Sequence, residues 1–136
     1  MKKGYKVAIE TQTIANTNFR KVLYSGEHSQ LVLMSLKVGE EIGIEVHADT
    51  DQFFRFESGM GKVIINETEY EVIDGDAVVV PAGAQHNVLN TSETEALTLY
   101  TIYSPAHHKD GVVHATRADA LTAEDDGSDE FEETTE

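Results

Sequence analysis

The chain has 136 residues, 40% of them hydrophobic, and carries 10 Lys and Arg against 25 Asp and Glu for a net charge of −15. That length buries one core and not two, and the charge repels phosphate backbones and anionic lipid surfaces, which speaks against a nucleic-acid or membrane-surface partner. No run approaches the ~20 apolar residues of a membrane span, the opening MKKGYKVAIETQ lacks the apolar core of a secretory signal, and there is no cysteine. The expected compartment is the cytoplasm, and metal binding would fall to His, Asp, Glu and Gln.

In chain order, residues 1–118 read as short β-rich runs bounded by Gly, Asn or Asp and recurring about every ten residues. The runs are 6–10, 20–24, 29–36, 42–47, 53–57, 61–65, 69–72, 77–80, 86–90 and 96–103. No helical period competes, so the expectation is an all-β sandwich or barrel. Inside VIINETEYEV, a two-residue hairpin would favour Asn-Gly, yet Glu67 follows Asn66; either the loop is longer or a strain of ~1 kcal/mol sits there. Residues 119–136 carry nine acids and no base, with Phe131 as the single aromatic. Such a segment buries too little apolar surface to offset its ordering entropy, so residues 1–118 are expected to form the domain and 119–136 a disordered, solubilising tail, with at most a weak helix over 118–125.

Two segments hold residues able to do chemistry. In IGIEVH, Ile42, Ile44 and Val46 alternate with Gly43, Glu45 and His47. On a strand, Glu45 and His47 project to one side with Cβ atoms about 6–7 Å apart, close enough to reach one ion. Gln52 follows the turn-prone segment 48–51, and a chain turning between antiparallel neighbours can bring its amide back beside His47. Alternation alone does not say whether Glu45 and His47 face a barrel interior or water. In GDAVVVPAGAQHNVLN, Asp74-Gly75-Asp76 supplies a turn, 77–80 a buried strand, Pro81-Ala82-Gly83 a tight turn, and His86 opens the next strand, at a barrel mouth rather than in its packed middle.

The second segment resembles the second cupin motif, G(X)5PXG(X)2H(X)3N, with Gly75, Pro81, Gly83, His86 and Asn90 at every required gap. The first cupin motif, G(X)5HXH(X)3,4E(X)6G, is kept in spacing and altered in chemistry: Gly39 and Gly59 bracket it, Glu45 stands for the first His, His47 for the second, and Gln52 for the Glu. The resemblance covers roughly residues 21–104 and is closest to small single-domain bacterial cupins described as mannose-6-phosphate isomerase-like. It implies a double-stranded β-helix, the jelly-roll barrel, with a divalent metal inside held by Glu45, His47, Gln52 and His86, Gln52 either binding the ion or hydrogen-bonding a bound water.

One carboxylate, two imidazoles and a neutral amide form a harder set than three histidines, which favours Mn, Fe, Ni or Co with open positions over a closed structural zinc. The implied function is a metal-dependent enzyme, isomerase or dioxygenase in type, acting on a small polar metabolite; the alternative is a non-catalytic small-molecule or sugar-binding module, or a barrel whose ligand set has decayed. If Glu45 and His47 line the barrel, Ile42, Ile44 and Val46 point outward and need cover, from the chain's own N-terminal strands or from a second copy; a homodimer is the expected partner arrangement. His107, His108 and His114 read as a polar loop or a lid beyond the last strand, and His28 as a turn residue.

Overall fold

The computed structural model describes all 136 residues and arranges ten strands in two antiparallel sheets packed face to face. The strands are β1 (Arg20–Ser25), β2 (Gln30–Leu36), β3 (Glu45–Val46), β4 (Asp51–Ser58), β5 (Met60–Ile65), β6 (Thr68–Ile73), β7 (Ala77–Val80), β8 (Gln85–Asn90), β9 (Leu97–Ser104) and β10 (Val113–His114), flanked by helices α1 (Ile9–Ala15) and α2 (Arg117–Asp126). One sheet has six strands in the order β10-β1-β2-β9-β4-β7, the other four in the order β3-β8-β5-β6. Nearly every connection crosses between or skips within the sheets, which makes the fold a jelly roll. No helix is long and apolar enough to cross a membrane.

Strand register sorts the interior into levels. Across β2 and β9, Leu36 faces Leu97, Met34 faces Leu99, Val32 faces Thr101 and Gln30 faces Tyr103; across β4 and β9, Phe54 meets Thr101 and Gln52 meets Tyr103. The lower levels are apolar and closed, with Val32, Met34, Leu36, Phe54, Phe56, Leu97 and Leu99 essentially inaccessible, each worth ~1.5–3 kcal/mol of burial. The level of Gln30, Gln52 and Tyr103 is polar. Asn90 closes the opposite end: its Nδ2 donates to the carbonyls of Leu36, Lys37 and Glu95. Gly59 takes φ +90°, and a Cβ there would lie 2.4 Å from the Ala96 carbonyl oxygen, so the turn between β4 and β5 admits only glycine.

Three expectations are corrected. Residues 6–10 do not form a strand: helix α1 begins at Ile9, with Thr13 buried and its hydroxyl bonded to the Ile9 carbonyl (2.6 Å), and it packs on β9 and β4. The edge of β1 that an N-terminal strand would use is occupied by β10, Arg20 pairing with His114. The run 42–47 is a strand only at Glu45–Val46, because Gly43 breaks it at φ +108° with its N–H donated to Asn87 Oδ1 (2.9 Å). Ile42 is thereby turned against the core, while Ile44 and Val46 stay outside, 67% and 57% exposed.

The acidic end is not a loose tail either. Helix α2 is capped by Thr116, whose side chain accepts from the Asp119 N–H, ends at a left-handed Gly127, and buries Ala120 and Ala123. Beyond it the chain returns to the barrel through its backbone: Lys109 N–H to Asp129 O (2.7 Å), Phe131 N–H to His107 O (3.2 Å) and Thr135 N–H to Ser25 O (2.9 Å). Glu136 accepts from Tyr24 Oη (2.6 Å) and from the N–H groups of Lys3 and Gly4. Beyond the Ala120 and Ala123 contacts of α2, hydrogen bonds and one buried carboxylate hold this segment. The hairpin at Asn66 is a two-residue loop, with Asn66 at φ +53°; its N–H donates to the Gln85 carbonyl and its Oδ1 accepts from the Gln85 N–H, which ties the turn to the start of β8.

Candidate metal centre

Glu45 and His86 sit directly opposite each other across the β3–β8 pair, and His47, two residues beyond Glu45, projects to the same side. One ligand atom from each of Glu45, His47 and His86 lies within 4.8 Å of the other two, so the three form a set that could hold a metal ion. The Pro81–Gly83 turn builds the site by anchoring its neighbour: the Gly83 N–H donates to the His47 carbonyl (2.8 Å), and the Ala82 N–H to Asp51 Oδ1 (2.8 Å). That is the local reason the spacing from Pro81 to His86 matters.

The electrostatics suit a cation. His86 Nδ1 donates to the Ala84 carbonyl (3.1 Å), which leaves Nε2 as a lone pair facing the cluster. Burial pushes the His86 imidazole below its ordinary range, toward the neutral form a metal requires. Burial works against an ionised Glu45, but the contact with His47 and the nearby charge of Arg20 outweigh it and hold the carboxyl below its usual range. His47 Nε2 lies 2.9 Å from Glu45 Oε2 without the alignment of a directed hydrogen bond and is otherwise unpartnered. A carboxylate oxygen and an imidazole nitrogen converging in this way are placed to share a cation.

Gln52 comes from the opposite sheet, 2% exposed, on β4 between Val80 and Tyr103. Its Nε2 donates to Thr101 Oγ1 (3.0 Å), which turns the amide so that Oε1 is buried with no partner. A buried carbonyl left unsatisfied costs ~1–3 kcal/mol, so an amide oriented this way fits either an ion or an ordered water at that oxygen. The residues present therefore fit a metal ion.

Matching of the cupin domain model over residues 32–103, more than half of the chain, decides the family. The chain belongs to the cupin family. It is similar to the uncharacterized protein YrkC of Bacillus subtilis, 46% identical over 129 residues, which span 90% of this chain and 69% of that one. It is also similar to the uncharacterized protein L612 of Acanthamoeba polyphaga mimivirus, 40% identical over 83% of this chain and 72% of that one. Among solved structures, BH2720 from Bacillus halodurans superposes with a TM-score of 0.87 at 43% identity, over 89% of this cupin and 96% of that chain.

Sequence reasoning left the far side of the cluster as a polar loop or a lid and did not foresee its packing. His107 stacks on Tyr103 (ring centroids 5.6 Å apart) and stands 4.3 Å from the His47 ring. His108 is not in a polar loop but 2% exposed, with Nδ1 bonded to Asp129 Oδ2 (2.6 Å) and Nε2 to Tyr103 Oη (3.0 Å). Burial pushes His108 down to about 4 while Asp129 stays ionised, so neutral His108 donates to Asp129 and accepts from the Tyr103 hydroxyl. Asp129 also lies 3.6 Å from Arg20 Nη1, a guanidinium only 1% exposed. His114 is buried beside this cluster on β10, and only His28 stays in an exposed turn as expected. No local signal could have paired His108 with a carboxylate twenty-one residues away.

Proposed function

We propose that this cupin binds one divalent ion through Glu45, His47, His86 and Gln52 and is a metal-dependent enzyme acting on a small polar metabolite inside the barrel, of isomerase or dioxygenase type. The convergence of one carboxylate and two imidazoles within 4.8 Å carries the reading. The unpartnered Gln52 oxygen supports it. Two imidazoles, a carboxylate and an amide suit Mn, Fe, Ni or Co with open positions better than closed tetrahedral zinc. When bound, such an ion supplies Lewis-acid polarisation of a substrate oxygen or, with iron or manganese, a site for dioxygen. The chain's own contribution is to fix the ligand rings from behind, through Ala84 and the Gly83 turn, and to keep bulk water out with Phe54, Val88 and Tyr103.

A phosphosugar substrate, as the resemblance to mannose-6-phosphate isomerase-like cupins would suggest, ranks lower. Phosphate recognition needs free cations. Arg55 is paired outside the barrel with Glu57 (2.9 Å), Lys62 with Glu69 (3.5 Å), and Arg20 already stands between Glu124 and Asp129. The second reading is a non-catalytic small-molecule or sugar-binding barrel, which the same cluster supports because an ion with open positions also holds a ligand without turning it over. The deciding measurement is elemental analysis of protein purified without chelator or nickel resin, with about one transition ion per chain expected. Protein that is metal-free and refuses Mn, Fe, Co, Ni and Zn overturns the proposal; turnover on a substrate panel separates enzyme from binding module.

We also propose a homodimer through the outer face of the four-stranded sheet. Ile44 and Val46 are exposed there, joined by Met60 and Ile73, and α1 packs on the other sheet. Leaving these side chains in water forgoes ~1.5–3 kcal/mol of burial for each.

A further inference from the structure

Around the ligand cluster, three side chains have hydrogen-bond partners within the protein. His86 Nδ1–H is used by Ala84, the Gln52 amide donates to Thr101, and the Tyr103 hydroxyl donates to His108. Glu45 only accepts. Two rings are without such partners: His47, which belongs to the ligand set, and His107, which does not. The His107 ring lies 4.3 Å from that of His47, 5.6 Å from Tyr103 and 4.8 Å from His108, and its nitrogens have no hydrogen-bond partner; its backbone N–H donates to Gln30 Oε1 (3.1 Å).

That contact is part of a built support. Gln30 is 1% exposed; its Oε1 accepts from the N–H groups of both His107 and His108, and its Nε2 donates to Ser25 Oγ (2.8 Å) and to the His108 carbonyl (2.7 Å). A fully satisfied buried amide thus fixes the backbone of two consecutive histidines. One of them, His108, uses both ring nitrogens inside the protein. The other, His107, is exposed, with its ring beside that of His47 and neither ring nitrogen partnered within the protein. The His107 nitrogens are not members of the set that converges within 4.8 Å. The ring stands beside one of the ligands, His47, and is open to solvent.

We propose that His107 is the hydrogen-bonding contact for a small oxyanion or hydroxylic ligand held at the Glu45, His47 and His86 centre, and is not itself a metal ligand. This rests on the metal-binding reading above and extends it by naming the residue that meets the ligand and the class of ligand it meets. Tyr103 cannot take the role, because its hydroxyl proton is committed to His108. Gln52 offers an acceptor oxygen at this level and so suits a cation or water better than an anion.

The test uses the full chain loaded with Co(II), whose visible spectrum reports on coordination, and azide as the exogenous anion. Wild type, His107→Phe, which keeps the aromatic wall, and His107→Gln, which keeps an N–H donor, are titrated first with Co(II) and then with azide. The expected result is Co(II) affinity unchanged within about twofold in all three, azide affinity about tenfold weaker in His107→Phe, the equivalent of one hydrogen bond, and partial recovery in His107→Gln. A loss of Co(II) affinity in His107→Phe as large as that in His86→Ala makes His107 a metal ligand and overturns the proposal. Unchanged azide affinity in a variant that melts like wild type reduces the ring to packing and overturns it equally. Wild type that takes up no Co(II) refutes the metal reading itself, a result visible before any variant is compared.

Discussion

Replacing Asp129 with alanine removes a carboxylate that is 5% exposed, 2.6 Å from His108 Nδ1 and 3.6 Å from Arg20 Nη1. Arg20, itself 1% exposed, would retain only Glu124 at 3.6 Å, a partner whose side chain is 40% exposed. Removing one partner of a buried ion pair costs about 3–5 kcal/mol; the long separation and the surviving Glu124 place this one at the lower end. The imidazole N–H left without an acceptor adds about 1 kcal/mol. A total of roughly 4 kcal/mol corresponds to a fall in melting temperature of about 8–16 °C for a domain of this size. Asp129→Asn, which keeps an acceptor for His108 and loses the charge, should fall about half as far. Burial alone would raise the Asp129 carboxyl, but the bond from His108 and the charge of Arg20 prevail and hold it below the ordinary aspartate range. A depressed folded-state pKa contributes stability above the unfolded value of about 3.9, and that contribution disappears as pH falls through the lower folded value. Wild type and Asp129→Ala should therefore differ fully at pH 7 and converge in strong acid, as read by circular dichroism melts. An unchanged melting temperature at pH 7 would refute the reasoning and return residues 119–136 to the solvated tail that their composition suggests.

His86→Ala should cost more Mn(II) or Co(II) affinity than Gln52→Ala by isothermal titration, because imidazole is the stronger ligand and losses at a group holding a bound water run ~10–100-fold; equal losses would make the amide a full ligand. Burial pushes His108 down to about 4, so between that value and about 6.5 the unfolded chain binds the extra proton and stability should rise with pH, by at most about 1.4 kcal/mol per unit. Denaturant titrations across that window should show the slope in wild type and its loss in His108→Gln; the same slope in both would place the titration elsewhere. Ile44→Asp should turn a sedimenting dimer into a monomer with the metal content of wild type, since Ile44 is 67% exposed on the face opposite the cluster; a wild-type monomer at micromolar concentration would remove the dimer.

The barrel and most of its site were legible in the amino-acid order because both depend on short-range pattern. Alternation and turn residues locate nine of the ten strands, the gaps among Gly75, Pro81, Gly83, His86 and Asn90 are lengths of turn and strand, and Glu45 and His47 share a face by the period of two. Where a backbone leaves the ordinary regions, the pattern misleads: Gly43 at φ +108° turns Ile42 toward the core, against the alternation of its own run. Residues 6–10 alternate like a strand, yet the sheet edge is already taken and the chain winds into α1 instead. The acidic end shows the limit most plainly. Its composition argues for solvation because burial is the usual source of order, and that rule has no knowledge of Arg20, which arrives from β1 inside the barrel and needs a carboxylate beside it. Asp129 joins His108, Tyr103 and His107 in one wall of the site only when the segment beyond α2 returns to the barrel, so that pairing belongs to the tertiary structure: a buried charge finds its partner through space, and spacing along the chain carries no record of it.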